Sequence, residues 1–271
     1  MTAAVLLHAS ASSSAQWRSL AGALAGSREV AAPDLRGYGN TPRWAGVGPF
    51  RLADEAAPLL ALLDRLDAPV DLIGHSYGGA VALHLARTRP QAVRKLVLIE
   101  PVAFHLLRDG DEADAAGLKE FAGTAAAVRK AFAIGQQDEA GRIFIDYWNG
   151  EGAWSRLAPE KRAPVVAALP KLAQEIEAVL GDPAGARDMR RIHAPVLLLQ
   201  GAETRLSARR VAQRLVRALP CVSHRVVPGA GHMLPLTHRD EVNRRVLEHL
   251  ASPYEGGHWY GYGPTPAAAN T

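Results

Sequence analysis

Cysteine is nearly absent: Cys221 is the single one in 271 residues. One thiol excludes an intrachain disulfide and any cysteine-based metal cluster. Lysine is scarce as well. Only five of the 31 basic residues are lysines, so the net charge of +4 is carried by arginine. The arginines are spread along the chain, which argues against a nucleic-acid footprint. No apolar run approaches the ~18–20 residues that a membrane helix needs. The H-E-x-x-H pattern, carboxylate-rich metal loops and Walker-type or dinucleotide-binding glycine patterns are missing too, so neither metal nor nucleotide cofactor is expected. The N-terminal apolar run, Ala3–Leu7 followed by Ala9-Ser10-Ala11, is shorter than the ~7–15 residues of a signal-peptide core. No Lys or Arg precedes it, so a cytoplasmic protein is expected.

Hydrophobic residues make up 48% and charged residues 21%, an ordinary balance for a globular chain. Short apolar runs alternate with helical stretches. The runs are Ala4–Leu7, Val30–Ala32, Val70–Ile73, Leu96–Ile99, Val196–Leu199 and Arg225–Val227. Several are apolar at every position, as in strands buried on both faces. The stretches between them read as helices at 14–25, 51–66, 77–89, 205–218 and 239–250. Such βαβ rhythm predicts an α/β fold with a parallel sheet of about six strands. Between Ile99 and Val196 the rhythm breaks. Ala, Glu and Arg dominate there, and helices are expected at 113–134, 137–148, 159–169 and 171–180, parted by Gly150, Pro159 and Pro170. The chain thus divides into a core, 1–100 with 191–250, a helical insertion, 101–190, and a tail, 251–271. The tail's Gly, Pro and aromatic mixture predicts irregular structure.

The strongest chemical signal is Gly74-His75-Ser76-Tyr77-Gly78-Gly79. It matches G-x-S-x-G, follows a strand and opens a helix, the setting of a nucleophile elbow. A glycine-rich turn with an incidental serine is the competing reading, and the strand-turn-helix setting argues against it. Ser76 would stand at a helix N-terminus, where orphan N–H groups favour negative charge.

With these residues in place the chain resembles the α/β-hydrolase superfamily over nearly all of 3–250. Leu6-Leu7-His8-Ala9-Ser10 is similar to the family's strand ending in His-Gly, with Ala9 in the glycine's place. Asp34-Leu35-Arg36-Gly37-Tyr38-Gly39-Asn40-Thr41 resembles its D-x-x-G-x-G-x-S/T loop. Gly229-Ala230-Gly231-His232 resembles the late G-x-G-H that carries the histidine. The insertion falls where the family places its cap. The family's two leading strands have no counterpart before Ala4, so an exposed or specially covered sheet edge is expected beside the strand at 30–34.

The resemblance implies Ser76 as nucleophile, His232 as base, and backbone N–H groups of Tyr77 and Ser10 as the oxyanion hole. His8 and His75 read as structural or pocket-lining, and His84, His238 and His249 as surface or helix residues. The acid is displaced. The family's G-x-x-D turn reads Gly201-Ala202-Glu203-Thr204, and Thr204 cannot serve. Glu100, which closes the apolar strand before Pro101, is the first candidate, because a charge ending such a strand is costly unless paired. Glu203 is the second, with Arg205 as its expected surface partner instead. A Ser–His dyad, or another acid from the insertion, is the third possibility.

Phe144, Tyr147, Trp148 and Trp154 line a pocket, Phe144 and Trp148 foremost, or form the insertion's own core. Arg205, Arg209, Arg210, Arg214 and Arg217 read as a solvated helix face. The resemblance implies a serine hydrolase of small to medium apolar esters or lactones. It would act through an acyl-enzyme without cofactor or metal, on a small-molecule substrate, away from nucleic acid and membrane, as a monomer or homodimer. The rivals are a C–C hydrolase, perhydrolase, thioesterase or cyclase on the same residues, and a ligand-binding protein without turnover.

Overall fold

The computed structural model describes residues 1–66 and 69–253. Six strands form one sheet: β1 (Ala3–Leu7), β2 (Glu29–Ala31), β3 (Val70–His75), β4 (Val93–Ile99), β5 (Val196–Gly201) and β6 (Val222–Val227). All pair in parallel, in the order β2-β1-β3-β4-β5-β6. Alternate residues along the strands feed two separate cores. Val5, Leu7, Leu72, Leu96, Leu98 and Leu198 join one cluster, and Leu6, Ile73, Val97, Ile99 and Leu199 join the other. Both faces are therefore covered, which is why these strands are apolar at every position.

On the first face pack α2 (Leu52–Arg65), α3 (Tyr77–Thr88) and α8 (Leu206–Ala218), through Leu59, Leu63, Val81, Leu85, Val211 and Leu215. On the second pack α1 (Arg18–Leu24) and α10 (Arg239–Ala251), through Leu20, Leu24, Val242, Val246 and Leu250. A short turn of helix, α9 (Leu234–Thr237), precedes α10. The chain leaves β1 toward one edge and returns to add β3 on the other side. Such a switch point, at the carboxyl ends of β1 and β3, is where open α/β sheets place their ligands.

The edge strand β2 is short. Glu29 is exposed and Val30 and Ala31 are half-buried, in keeping with the expected open edge. The expected fold class stands: a parallel six-stranded sheet with helices on both faces. Several boundaries differ. Residues 14–17 form a 3₁₀ turn before α1, and β6 starts at Val222 rather than Arg225. The irregular tail lies outside the described residues from 254 onward.

Between β4 and β5 run α4 (Glu112–Ala133), α5 (Gln137–Asn149), α6 (Ala153–Arg156) and α7 (Pro159–Gly181). The break expected at Pro170 is not there: α7 is one helix with Pro164 and Pro170 inside it. Each internal proline removes a backbone hydrogen bond. The buried stripe Val165, Leu169, Leu172, Ile176 and Val179 holds the helix together nonetheless.

Candidate active site

The turn after β3 is built by close packing. A Cβ on Gly74 would stand 2.3 Å from the Gly78 carbonyl oxygen, and one on Gly78 would stand 2.3 Å from that of Leu7. No other residue fits either place. Between them Ser76 holds φ 54° and ψ −116°, a conformation rare for a side chain-bearing residue. It is pinned from both sides. Ser76 N–H donates to Ile99 O at 2.9 Å, and Ala80 and Val102 N–H donate to Ser76 O. The strained turn lifts the hydroxyl above the sheet at the start of α3.

His232 comes from the loop after β6. Its Nε2 lies 2.9 Å from Ser76 Oγ and its Nδ1 3.1 Å from Glu100 Oε2. All three side chains are buried. An ionised carboxylate only accepts, so Nδ1 carries the proton and Nε2 is left to accept from the Ser76 hydroxyl. Glu100 is itself fixed. Its Oε1 accepts from Gly201 N–H at 2.8 Å and its Oε2 from the Thr204 hydroxyl at 2.6 Å. Like Ser76, Glu100 ends its strand at positive φ, 48°. Glu203 is exposed, and the imidazole's carboxylate partner is Glu100 instead. It does not pair with Arg205, which donates instead to the carbonyls of Tyr147 and Asp146 on α5.

A second chain of bonds supports the loops. His75 Nε2 donates to the His232 carbonyl at 2.9 Å, and its Nδ1 accepts from Gln16 Nε2 at 3.1 Å. Gln16 Oε1 in turn accepts from Ala9 N–H and the Ser12 hydroxyl. Burial, with His232 nearby, pulls the His75 pKa down to about 3, so the ring is neutral. Gln16 thus ties the loop after β1 to the loop of His232, a role that nothing in its sequence neighbourhood signals. His8 is not a wall of the cavity, contrary to one expectation. Its Nδ1 donates to Ala9 O and its Nε2 accepts from Leu35 N–H, so the ring is fully used inside the fold. Burial lowers its pKa as well.

In front of Ser76 a cavity is lined by Ser10, Tyr77, Phe144, Trp148, Leu172 and Glu175 among others. Phe144 and Trp148 therefore face the serine. Trp148 also stacks on the His232 ring, centroids 3.7 Å apart at 22°. Tyr147 instead bonds Ser207, and Trp154 packs against Gly141. The free space in front of Ser76 is about 20 Å³, enough for one water.

Two surface expectations need correction. The solvated face expected of the α8 arginines holds for the exposed Arg209 and Arg217 but not for two others: Arg210 pairs with Asp111 and Asp114, and Arg214 donates to Leu106 O, fastening α8 to α4 and its approach. His249 is buried, not exposed, because α10 lays it against the sheet beside Lys95. Among the described residues no group of His, Cys, Asp and Glu is arranged to hold a metal.

A doubly wound parallel sheet with a strained serine turn, a histidine loop and a carboxylate at the ends of neighbouring strands defines a hydrolase-type architecture. The family described as "Alpha/beta hydrolase family" matches residues 4–245, and the chain belongs to it. A pimeloyl-[acyl-carrier protein] methyl ester esterase of Neisseria meningitidis is 30% identical over 213 residues, 78% of each chain. Lipase LipV of Mycobacterium tuberculosis is 51% identical over 73 residues, 27% of each chain. The chain covers only 27–36% of the length of the first curated relatives it matches. Among solved structures, carboxylesterase CesB of Bacillus subtilis superposes with a TM-score of 0.71 at 23% identity, over 92% of this chain and 84% of that one.

Proposed function

We propose that the protein is a serine hydrolase that cleaves carboxylic esters or lactones of small to medium apolar acids through an acyl-enzyme on Ser76. The observation that carries this reading is the continuous path from Glu100 through His232 to Ser76, at 3.1 and 2.9 Å. A serine hydroxyl is a weak nucleophile at neutral pH and needs such a base. His232 Nε2 takes the hydroxyl proton as Oγ attacks the carbonyl carbon, and Glu100 stabilises the imidazolium that forms. The N–H groups of Tyr77, at the start of α3, and of Ser10 receive the oxyanion. His232 then returns the proton to the leaving alcohol. Water, deprotonated by the same imidazole, releases the acid. Residues 101–190 serve as the cap, with Phe144 and Trp148 as pocket walls. The names of the esterase and the lipase above support ester chemistry for this chain.

The test combines a fluorophosphonate label with a panel of p-nitrophenyl esters of rising chain length and of lactones. Labelling at Ser76, together with turnover lost in Ser76→Ala, is the expected result. A protein that labels but turns over only C–C or peracid substrates would move the chemistry. One that neither labels nor turns over would be a binding protein.

A further inference from the structure

Beside the cavity lies a buried charged cluster that acyl transfer does not use. Glu175 and Lys171 of α7 and Glu55 of α2 are all buried. Glu55 is saturated. Its Oε1 accepts from Arg36 N–H at 2.8 Å, and its Oε2 from the Tyr77 hydroxyl at 3.1 Å and Lys171 Nζ at 2.5 Å. Glu175 is not. Its Oε2 accepts from the Tyr38 hydroxyl at 3.1 Å, whereas Oε1 makes no close hydrogen bond: Lys171 Nζ stands 3.6 Å away, and the Ser10 hydroxyl at the cavity wall is the other donor facing the carboxyl. Glu175 lines the same cavity as Ser76 and Ser10, among Val102, Phe121, Leu172 and Ile176.

One ammonium faces two carboxylates here, so ionised side chains leave a surplus negative charge in a mostly apolar wall. Burying an acceptor without a donor is unfavourable, and burying it charged more so. A leucine at 175 would pack against the same neighbours without that cost. Burial, opposed by Lys171 and the Ser10 hydroxyl, holds the Glu175 carboxyl up at about 7.

We propose that Glu175 is a specificity-determining residue. Its free carboxylate oxygen accepts a hydrogen bond from a hydroxyl or amide N–H on the part of the ester lodged in this cavity, and it repels substrates that carry a carboxylate there. The proposal rests on the ester-hydrolase reading. A site built around a donor discriminates strongly against an analogue that lacks it, because the buried group is then left unpaired.

The experiment compares methyl hexanoate, methyl 3-hydroxyhexanoate, methyl 6-hydroxyhexanoate and monomethyl adipate at pH 8. Values of kcat/KM are measured for the parent, Glu175→Leu and Glu175→Gln. The same esters are titrated calorimetrically into Ser76→Ala, with and without Glu175→Leu, which reads recognition with the chemistry switched off. The parent should favour at least one hydroxy ester over methyl hexanoate by about 10- to 100-fold, the range of one hydrogen bond to a charged group. Glu175→Leu should bring that ratio near unity and raise monomethyl adipate relative to methyl hexanoate. Glu175→Gln, which keeps the shape and an acceptor oxygen, should keep part of the hydroxyl preference and lose the exclusion of adipate. Equal binding and equal turnover of hydroxylated and plain esters would overturn the role of Glu175 and leave ester hydrolysis standing. Selective binding without turnover of any ester would uphold Glu175 and overturn the ester reading.

Discussion

The Thr204 hydroxyl donates to Glu100 Oε2 at 2.6 Å, the same oxygen that meets His232 Nδ1. Thr204 stands where the family pattern places its acid, in the turn after β5. In this chain that position is a donor to the Glu100 carboxylate, one strand away. The bond fixes the direction of Oε2. Thr204→Val keeps the shape and removes the donor, so kcat should fall about tenfold with KM little changed. Thr204→Ser should stay near the parent. A loss equal in both variants would mean that packing, not the hydroxyl, matters at 204.

Glu100→Gln should lower kcat steeply, up to ~10⁴-fold, because an amide can hold the imidazole in the wrong tautomer. Glu203→Gln should stay within about threefold, since its side chain is exposed and makes no transition-state contact in this arrangement. The two acid positions are close enough to exchange duties. Thr204→Asp in a Glu100→Ala background brings a carboxylate toward the place that Oε2 now occupies, and should recover at least about tenfold over Glu100→Ala alone. Steady-state kinetics on a p-nitrophenyl ester reads all of these. No recovery would show that the strained end of β4 is the only seat from which the acid works.

Much of this site is legible in the sequence for a physical reason. Strands buried on both faces leave unbroken apolar runs, so a charge at the end of one, Glu100, stands out. The serine turn is legible because two close backbone approaches demand glycine at 74 and 78. What escapes notice is pairing across long separations. Glu55 and Lys171 lie 116 residues apart, and no local pattern links them. Nor does any local pattern link Lys95 to the carbonyls of His249 and Leu250 at the end of α10, to which its Nζ donates. Local pattern also misses the partners of Arg210 and Arg214, which sit in the insertion. At Pro170 propensity predicts a break, and tertiary burial of the α7 stripe overrides it.

Ser76 and His232 share one hydrogen bond at the centre of the site. Groups that act as a unit give strongly non-additive losses. Ser76→Ala and His232→Ala should each cost on the order of 10⁴-fold or more in kcat, and the double variant little more than either. Losses that multiply would show that the two do not act on one proton.

Trp148 touches both the chemistry and the packing. Its ring stacks on His232 and also packs with Tyr147, centroids 4.7 Å apart, and Phe121, at 6.2 Å. The aromatics of the insertion therefore do not divide cleanly into pocket wall and internal core. Trp148→Ala should lower the melting temperature, by the few kcal/mol (~3–5) of a large-to-small core change, and lower kcat by freeing the imidazole. Trp148→Phe should keep most of the kcat, because a ring still covers His232, while altering chain-length preference. A variant that lost stability with unchanged kcat would reduce the stack to packing alone.

The buried titratable groups set how stability varies with pH. Burial is the main cause in each case. It lowers His75 to about 3, His105 to about 4 and His249 to about 4, and it raises Glu175 to about 7. Stability rises with pH wherever the unfolded chain binds more protons than the native one. Between about 6.5 and 4.5 the three histidines are charged only when unfolded, so each lowers stability as the pH falls. Glu175 works the other way, since in the native state it is protonated where the unfolded chain has already lost the proton. Each group contributes up to ~1.4 kcal/mol per pH unit. Burial lowers His8 and His224 too, so they act with these three against Glu175, and the net change is a loss of stability on acidification from about pH 6.5 to 4.5. Glu175→Gln removes the opposing group. It should steepen that acid loss and stabilise the protein at pH 8, where the parent buries the charged form. Urea denaturation followed by circular dichroism at several pH values tests both statements. A flat profile in the parent would mean that the histidines are protonated within the fold. An unchanged slope in Glu175→Gln would mean that Lys171 keeps Glu175 ionised throughout.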